Sequence, residues 1–138
     1  MREILFRGKC NANGQWVEGY YSYSPEIDKH MINTLDMAHP CGTDLGFYKV
    51  IPKTVGEYIG RTDKNGKKIF EGDIIKGKVH EINGYRVRRG VVEYYGVGFI
   101  MTFEPNSWYD QKNIPFDCEV IGNIYDNPEL LKGGVEDD

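Results

Sequence analysis

YIGRTDKNGKKIFEGDII, residues 58–75, decides between two kinds of protein. It gathers Asp63, Asn65, Glu71 and Asp73 around two glycines, Gly66 and Gly72. Such a set is either a loop for a cation or a phosphate, or a pair of tight turns in a small β-domain. Asp63-Lys64-Asn65-Gly66 has Asp first and Gly fourth, the pattern of a type I turn. The Asp side chain accepts a bond from the backbone two residues on, and Gly takes the left-handed conformation without strain. A calcium loop of the EF-hand kind needs glycine at its sixth position and a bidentate Glu at its twelfth. Counted from Asp63, glycine falls at the fourth position and the twelfth is Ile74. A phosphate loop needs G-x-x-x-x-G-K-[ST], and the chain has none. The stretch therefore reads as a structural turn. Glu71-Gly72-Asp73 is a second one, which feeds Ile74 and Ile75 into the next strand.

Turn signals continue on both sides. Downstream they fall at Asn83-Gly84, Gly96 and Pro105–Asn106, with apolar alternation such as Phe99, Met101 and Phe103 between them. Short strands at that spacing predict a small antiparallel barrel or roll. Upstream, Ile4 and Phe6 are set against Glu3 and Arg7 as in a half-buried strand, Asn13-Gly14 gives a hairpin turn, and Trp16 to Tyr21 returns as a second strand. Residues 22–46 carry no sustained period and are expected to form an irregular excursion. Phe47–Ile51 and Thr54–Arg61 are further candidate strands. Asn127-Pro128-Glu129 has the form of a helix start, with Asn127 as N-cap. The expected organisation is an N-terminal hairpin and excursion over 1–53, a β-roll over 54–131, and a disordered acidic tail over 132–138. Little helix is expected.

Composition agrees with that reading. The 138 residues include 17 Gly and 10 Tyr, which favour turns and strands over helices. The opening residues have no apolar run of signal-peptide length, and nothing later is long enough to span a membrane. Cys10, Cys41 and Cys118 are odd in number and far apart, and read as reduced thiols in a cytoplasm. The net charge of −4 excludes a protein that binds polyanions over its whole surface.

The opening stretch also resembles the central signature of the YopX family, small proteins of phages and prophages. EVIGNIYDNPELL, residues 119–131, is similar to that family's C-terminal signature, and REILFRGK, residues 2–9, to its N-terminal strand. Arg61 departs from the pattern, standing where members often carry an apolar residue. GKC after Phe6-Arg7 departs too, where an aromatic is common. The resemblance implies a mainly β protein whose C-terminal part is an SH3-like roll, often self-associating and of uncharacterised function. It carries over no catalytic residue and implies no cofactor.

Two clusters invite a catalytic reading. His39-Pro40-Cys41, with Asp36 and His30 nearby, lacks the second cysteine of a zinc deaminase and the paired spacing of a structural zinc site. It leaves open a small hydrolase with a site in residues 22–46. Glu26, Asp28 and Lys29 lack the spacing of a nuclease set, and a solvated loop accounts for them. No metal ligand set is assigned.

Residues 74–92 carry a net +4, against −8 for the rest of the chain. A three-residue loop, Ile82-Asn83-Gly84, would pair Val79 with Val87 and Ile75 with Val91. It would sort Lys76, Lys78, His80, Arg86 and Arg88, with Arg89 alongside, onto one face. That face is the candidate contact surface for a second copy, a phage or host protein, or nucleic acid, with Tyr94, Tyr95 and Trp108 as stacking groups. The cations also serve as guards of an exposed sheet edge. The expected protein is a non-enzymatic, cytoplasmic, oligomeric binding module. A nucleic-acid module is the alternative.

Overall fold

The computed structural model describes residues 4–34, 46–96, 98–103, 111–131 and 135–136. The chain is mainly β and divides into two compact units, Met1–Tyr58 and Ile59–Asp138. The strands lie in two antiparallel sheets, and neither closes into a barrel among the described residues.

In the first unit, β1 (Phe6–Lys9) pairs with β2 (Trp16–Ser24), β2 with β3 (Lys29–Asn33), and β3 with β4 (Phe47–Lys49). A 3-10 turn, Pro52–Thr54, leads into β5 (Gly56–Thr62), whose Gly56 and Glu57 pair with Arg7 and Phe6. Alternation along β2 sends Val17 inward, and it joins Cys10, Ile32, Tyr48 and Val50 in a buried cluster. The irregular excursion expected from residue 22 is corrected here. β2 runs on to Ser24, and a turn with Asp28 at φ +51 returns the chain as β3. The pattern is hard to read because this hairpin end is exposed, so Tyr23 and Ser24 carry no core signal. Cys10 is also a correction: it is disulfide-bonded, not a reduced thiol.

In the second unit, β5 is followed by β6 (Lys68–Phe70), its neighbour in the sheet. The other sheet runs β10 (Gln111–Lys112), β9 (Phe99–Thr102), β8 (Gly84–Tyr94), β7 (Asp73–Glu81), β11 (Glu119–Asn123). Ile69, Ile75, Val79, Val92, Met101, Phe103 and the free thiol Cys118 form its core. Pro128–Leu131 is a 3-10 turn, started by the Leu130 N–H donating to the Asn127 carbonyl (3.0 Å). The segment expected to be a disordered tail contributes β12 (Val135–Glu136), paired with β8. Among the described residues no helix is long and apolar enough to cross a membrane.

The β7–β8 register corrects the three-residue loop. Glu81 pairs with Gly84, His80 with Tyr85, Val79 with Arg86 and Lys78 with Val87. The loop is Ile82-Asn83, and Gly84 sits at φ +123, which favours glycine. One residue of slip exchanges faces, so the cations are divided. Arg86 and Arg88 share a face with the core residues Ile75 and Val79, while Lys76, Lys78, His80 and Arg89 lie on the other. The mixture is tolerated because the Arg88 guanidinium stacks 3.6 Å from the Phe103 ring centroid and approaches Glu81 at 3.6 Å. Arginine's planar, weakly hydrated head can lie on an aromatic ring where an ammonium could not be dried so readily.

Candidate binding groove

The turn at Asp63 is built from three donors. Asp63 Oδ1 accepts from the N–H of Asn65 (2.8 Å) and of Lys67 (2.9 Å), and Oδ2 from the N–H of Val120 (2.9 Å). Burial of the carboxyl acts to raise its pKa. The N–H donors of Val120, Lys67 and Asn65, with the Lys67 charge, outweigh that, and the group sits below its ordinary value. Gly66 lies at φ +83 and its N–H closes the turn onto the Asp63 carbonyl (3.0 Å). The turn reading of the signature is the observed one.

That turn also places Lys64. Its N–H donates to the Cys118 carbonyl (2.9 Å), which docks the turn against the start of β11. Arg61, two residues earlier, holds the opposite wall. Its guanidinium donates to the carbonyls of Ile114 (3.3 Å), Pro115 (2.6 Å) and Phe116 (3.1 Å). An arginine fork suits three converging carbonyls, since it offers several donors in one plane. The loop so held presents Phe116, 93% exposed, with the Arg61 guanidinium 6.0 Å from its ring.

β11 pairs with β7 as far as Lys76, and beyond it the chain leaves the β7 edge. The gap is a groove of about 520 Å³ whose lining includes Lys64, Lys76, Lys78, Pro115, Phe116 and Glu119. A smaller recess of about 350 Å³ adjoins it through Lys78 and Pro115, and adds His80, Tyr85 and Lys112. His80 meets Tyr85 edge-on, with centroids 5.3 Å apart.

The structure thus brings together three of the residues expected on one face: Lys76, Lys78 and His80. Arg86 is exposed on the opposite face, and Arg88 is occupied with Phe103 and Glu81. Arg89 donates to the Leu130 carbonyl (3.2 Å) and so anchors the 3-10 turn. Sequence reasoning missed Lys64, Lys112 and Phe116. Lys64 was hidden inside a turn motif, and no local pattern marks a phenylalanine that faces water. Tyr94 and Tyr95 are half exposed, with the Tyr94 hydroxyl donating to the Gly96 carbonyl (2.9 Å). Trp108, Asp36, His39 and Cys41 lie outside the described residues.

Of the first-unit candidates, His30 accepts or donates at Nδ1 with the Tyr21 hydroxyl (2.5 Å) and stacks on Tyr23. Asp28 accepts from the Tyr23 hydroxyl (3.1 Å), and that bond raises the phenol's pKa. Among the described residues no three His, Cys, Asp or Glu side chains come together as metal ligands.

A family model described as YopX protein matches residues 5–132. The chain belongs to the YopX family. Among solved structures it is similar to protein EF1440 from Enterococcus faecalis, at 22% identity and a TM-score of 0.51. That match covers 95% of this chain and 99% of the other, and it bears on the fold alone. A comparison with curated proteins finds no match. Asp63 and Gly66 of the YopX signature fold the turn, and Arg61, which departs from that signature, holds the loop on the other side of the groove.

Proposed function

We propose that this YopX-family chain is a non-enzymatic accessory protein of phage or prophage origin. It works in the cytoplasm of a bacterial host as an oligomeric binding module, its second unit an SH3-like roll that offers the groove to a partner protein. The observation that carries the reading is Phe116, almost fully exposed yet held in place through the carbonyls that Arg61 binds. A large ring in water gains stabilisation only when a partner covers it, and anchors of this kind dominate interfaces. The lysines beside it suit a partner segment that carries carboxylates.

The test is co-purification from phage-infected cells. Phe116→Ser and the pair Lys64→Glu with Lys78→Glu should each lose the same identified partner while the protein stays folded. Retention of that partner by both variants would remove the groove from the account.

Nucleic acid is the second reading, favoured by Lys64, Lys76 and Lys78 converging on one groove. Three phosphate contacts would give a log–log salt slope of roughly −3 on duplex DNA. The Cys10 disulfide opposes a reducing compartment. Alkylation at the moment of lysis tests the point: a Cys10 thiol that reacts before reduction supports the cytoplasm, and a blocked one an oxidising compartment.

A further inference from the structure

The chain holds three Asn-Gly pairs, Asn13-Gly14, Asn65-Gly66 and Asn83-Gly84. An asparagine before glycine is open to attack by the next backbone nitrogen, because no Cβ shields that nitrogen and the glycine backbone turns freely. The fold ties down two of the three. Asn13 Oδ1 accepts the Gln15 N–H (3.0 Å), and the Gly14 N–H donates to the Cys10 carbonyl (2.9 Å). Asn65 Nδ2 donates to Glu119 Oε2 (3.4 Å), its N–H donates to Asp63 Oδ1 (2.8 Å), and the Gly66 N–H donates to the Asp63 carbonyl (3.0 Å). Asn83 differs. It is exposed in a two-residue loop, and its side chain makes no hydrogen bond among the described residues. Ile82 beside it is 98% exposed, so nothing packs on the tip. Gly84 pairs with Glu81 at the last rung of the ladder, where a hairpin opens most readily.

We infer that Asn83 is a site of spontaneous covalent modification, at which water converts the amide to a carboxylate and alters the tip of the basic hairpin as the protein ages. The Gly84 backbone nitrogen loses its proton to water and bonds to Asn83 Cγ, and the side-chain amide leaves as ammonia. Water then opens the resulting succinimide at either carbonyl, giving aspartate or isoaspartate. The net change is amide plus water to carboxylate plus ammonium, with no oxidant or enzyme required. Both products add a negative charge and take residues 74–92 from +4 to +3. That charge falls in a shallow recess whose lining includes Glu81, Tyr85 and Arg86. The isoaspartyl product does more. Its backbone runs through the former side chain and gains one carbon, which displaces the Glu81–Gly84 rung that closes the loop. The site lies outside the groove, whose lining on this hairpin ends at Lys78 and Val87.

The experiment warms the full chain in mildly alkaline buffer and maps its peptides by mass spectrometry, with fragmentation that separates aspartate from isoaspartate. In the folded chain Asn83 should convert about tenfold faster than Asn13 or Asn65, because local bonds hold the other two. In urea with reductant the three should convert at similar rates, since unfolding removes those bonds. Asn83→Gln, whose longer side chain closes a ring less readily, should leave the peptide Val79–Arg86 unconverted over the same period. Amide exchange at Tyr85 and Arg86 should quicken in the isoaspartyl fraction and stay unchanged in Asn83→Asp, which adds the charge without the extra carbon. Conversion of Asn13 or Asn65 as fast as Asn83 in the folded chain, or the same ranking in urea, would overturn the proposal. Equal exchange in the isoaspartyl fraction and Asn83→Asp would overturn the loss of the rung.

Discussion

Asp63 shows how one side chain can serve a turn and a site together. Its oxygens already accept three backbone N–H groups, which leaves about one of the carboxylate's four lone-pair sites for a cation. Calorimetry should register no calcium-linked heat, and micromolar binding abolished in Asp63→Ala would refute the turn reading. Replacement by Ala strands the N–H groups of Asn65, Lys67 and Val120 and should cost about 2–4 kcal/mol. The pH dependence has a definite sign. The folded pKa lies below the ordinary value of 3.8, so the stabilisation is complete above that value and is lost as pH falls through the depressed one. Asp63→Asn should therefore flatten the acid side of the stability curve, and identical acid limbs would exclude the carboxylate as their source. Gly66 is the second residue of consequence. Space around it is open, but at φ +83 a β-branched side chain is strained, and Gly66→Val should cost about 1–2 kcal/mol in denaturant titrations.

At the scale of elements, the β7–β8 hairpin separates what a sequence can say from what it cannot. The existence of the hairpin and its tip were legible, because Asn83-Gly84 is a strong turn signal between two β-rich runs. The register was not. Sorting cations from apolar residues assumes that a charged head must face water, and Arg88 breaks the assumption by lying on Phe103, 14% exposed. Phe103 is distant in sequence, so no local pattern could announce the contact. Arg88→Ala should accordingly cost about 1–2 kcal/mol, and Arg86→Ala less than about 0.5. Equal urea midpoints for the two variants would mean that the Arg88–Phe103 contact does not stabilise the hairpin. Lys64 and Phe116 were illegible for a related reason. They become neighbours only when Arg61 gathers the 114–116 carbonyls and the Asp63 turn docks on β11, contacts that span more than fifty residues. The signature was legible as folding chemistry, and its bearing on a groove needed the tertiary structure.

For the whole molecule, the question is what covers the apolar side chains that each unit leaves in water. In the first unit Tyr20, Ile27 and Phe47 are exposed, and in the second Ile82 and Phe116 are more than nine-tenths exposed. Among the described residues β4 lies at an edge of its sheet and has only three residues, Phe47–Lys49, too short to be a strong template for another strand. The exposed side chains offer a route to association that does not depend on that edge, and a second copy is a partner always at hand. Light scattering on the eluting protein should give a mass above that of one 15.8 kDa chain at high micromolar concentration. Two substitutions separate the possible anchors. If Phe116 lies at the contact, Phe116→Ser should return the protein to a monomer, and the groove is then occupied by a second copy. If Phe116→Ser leaves the mass unchanged while Tyr20→Ser with Phe47→Ser lowers it, the first unit carries the association and the groove stays open for another protein. Exposed substitutions of this kind usually change stability by less than about 0.5 kcal/mol, so a fall in mass would report the interface and not unfolding. A monomer in the unaltered protein at that concentration would sink the oligomeric part of the proposal and leave the groove to be tested alone.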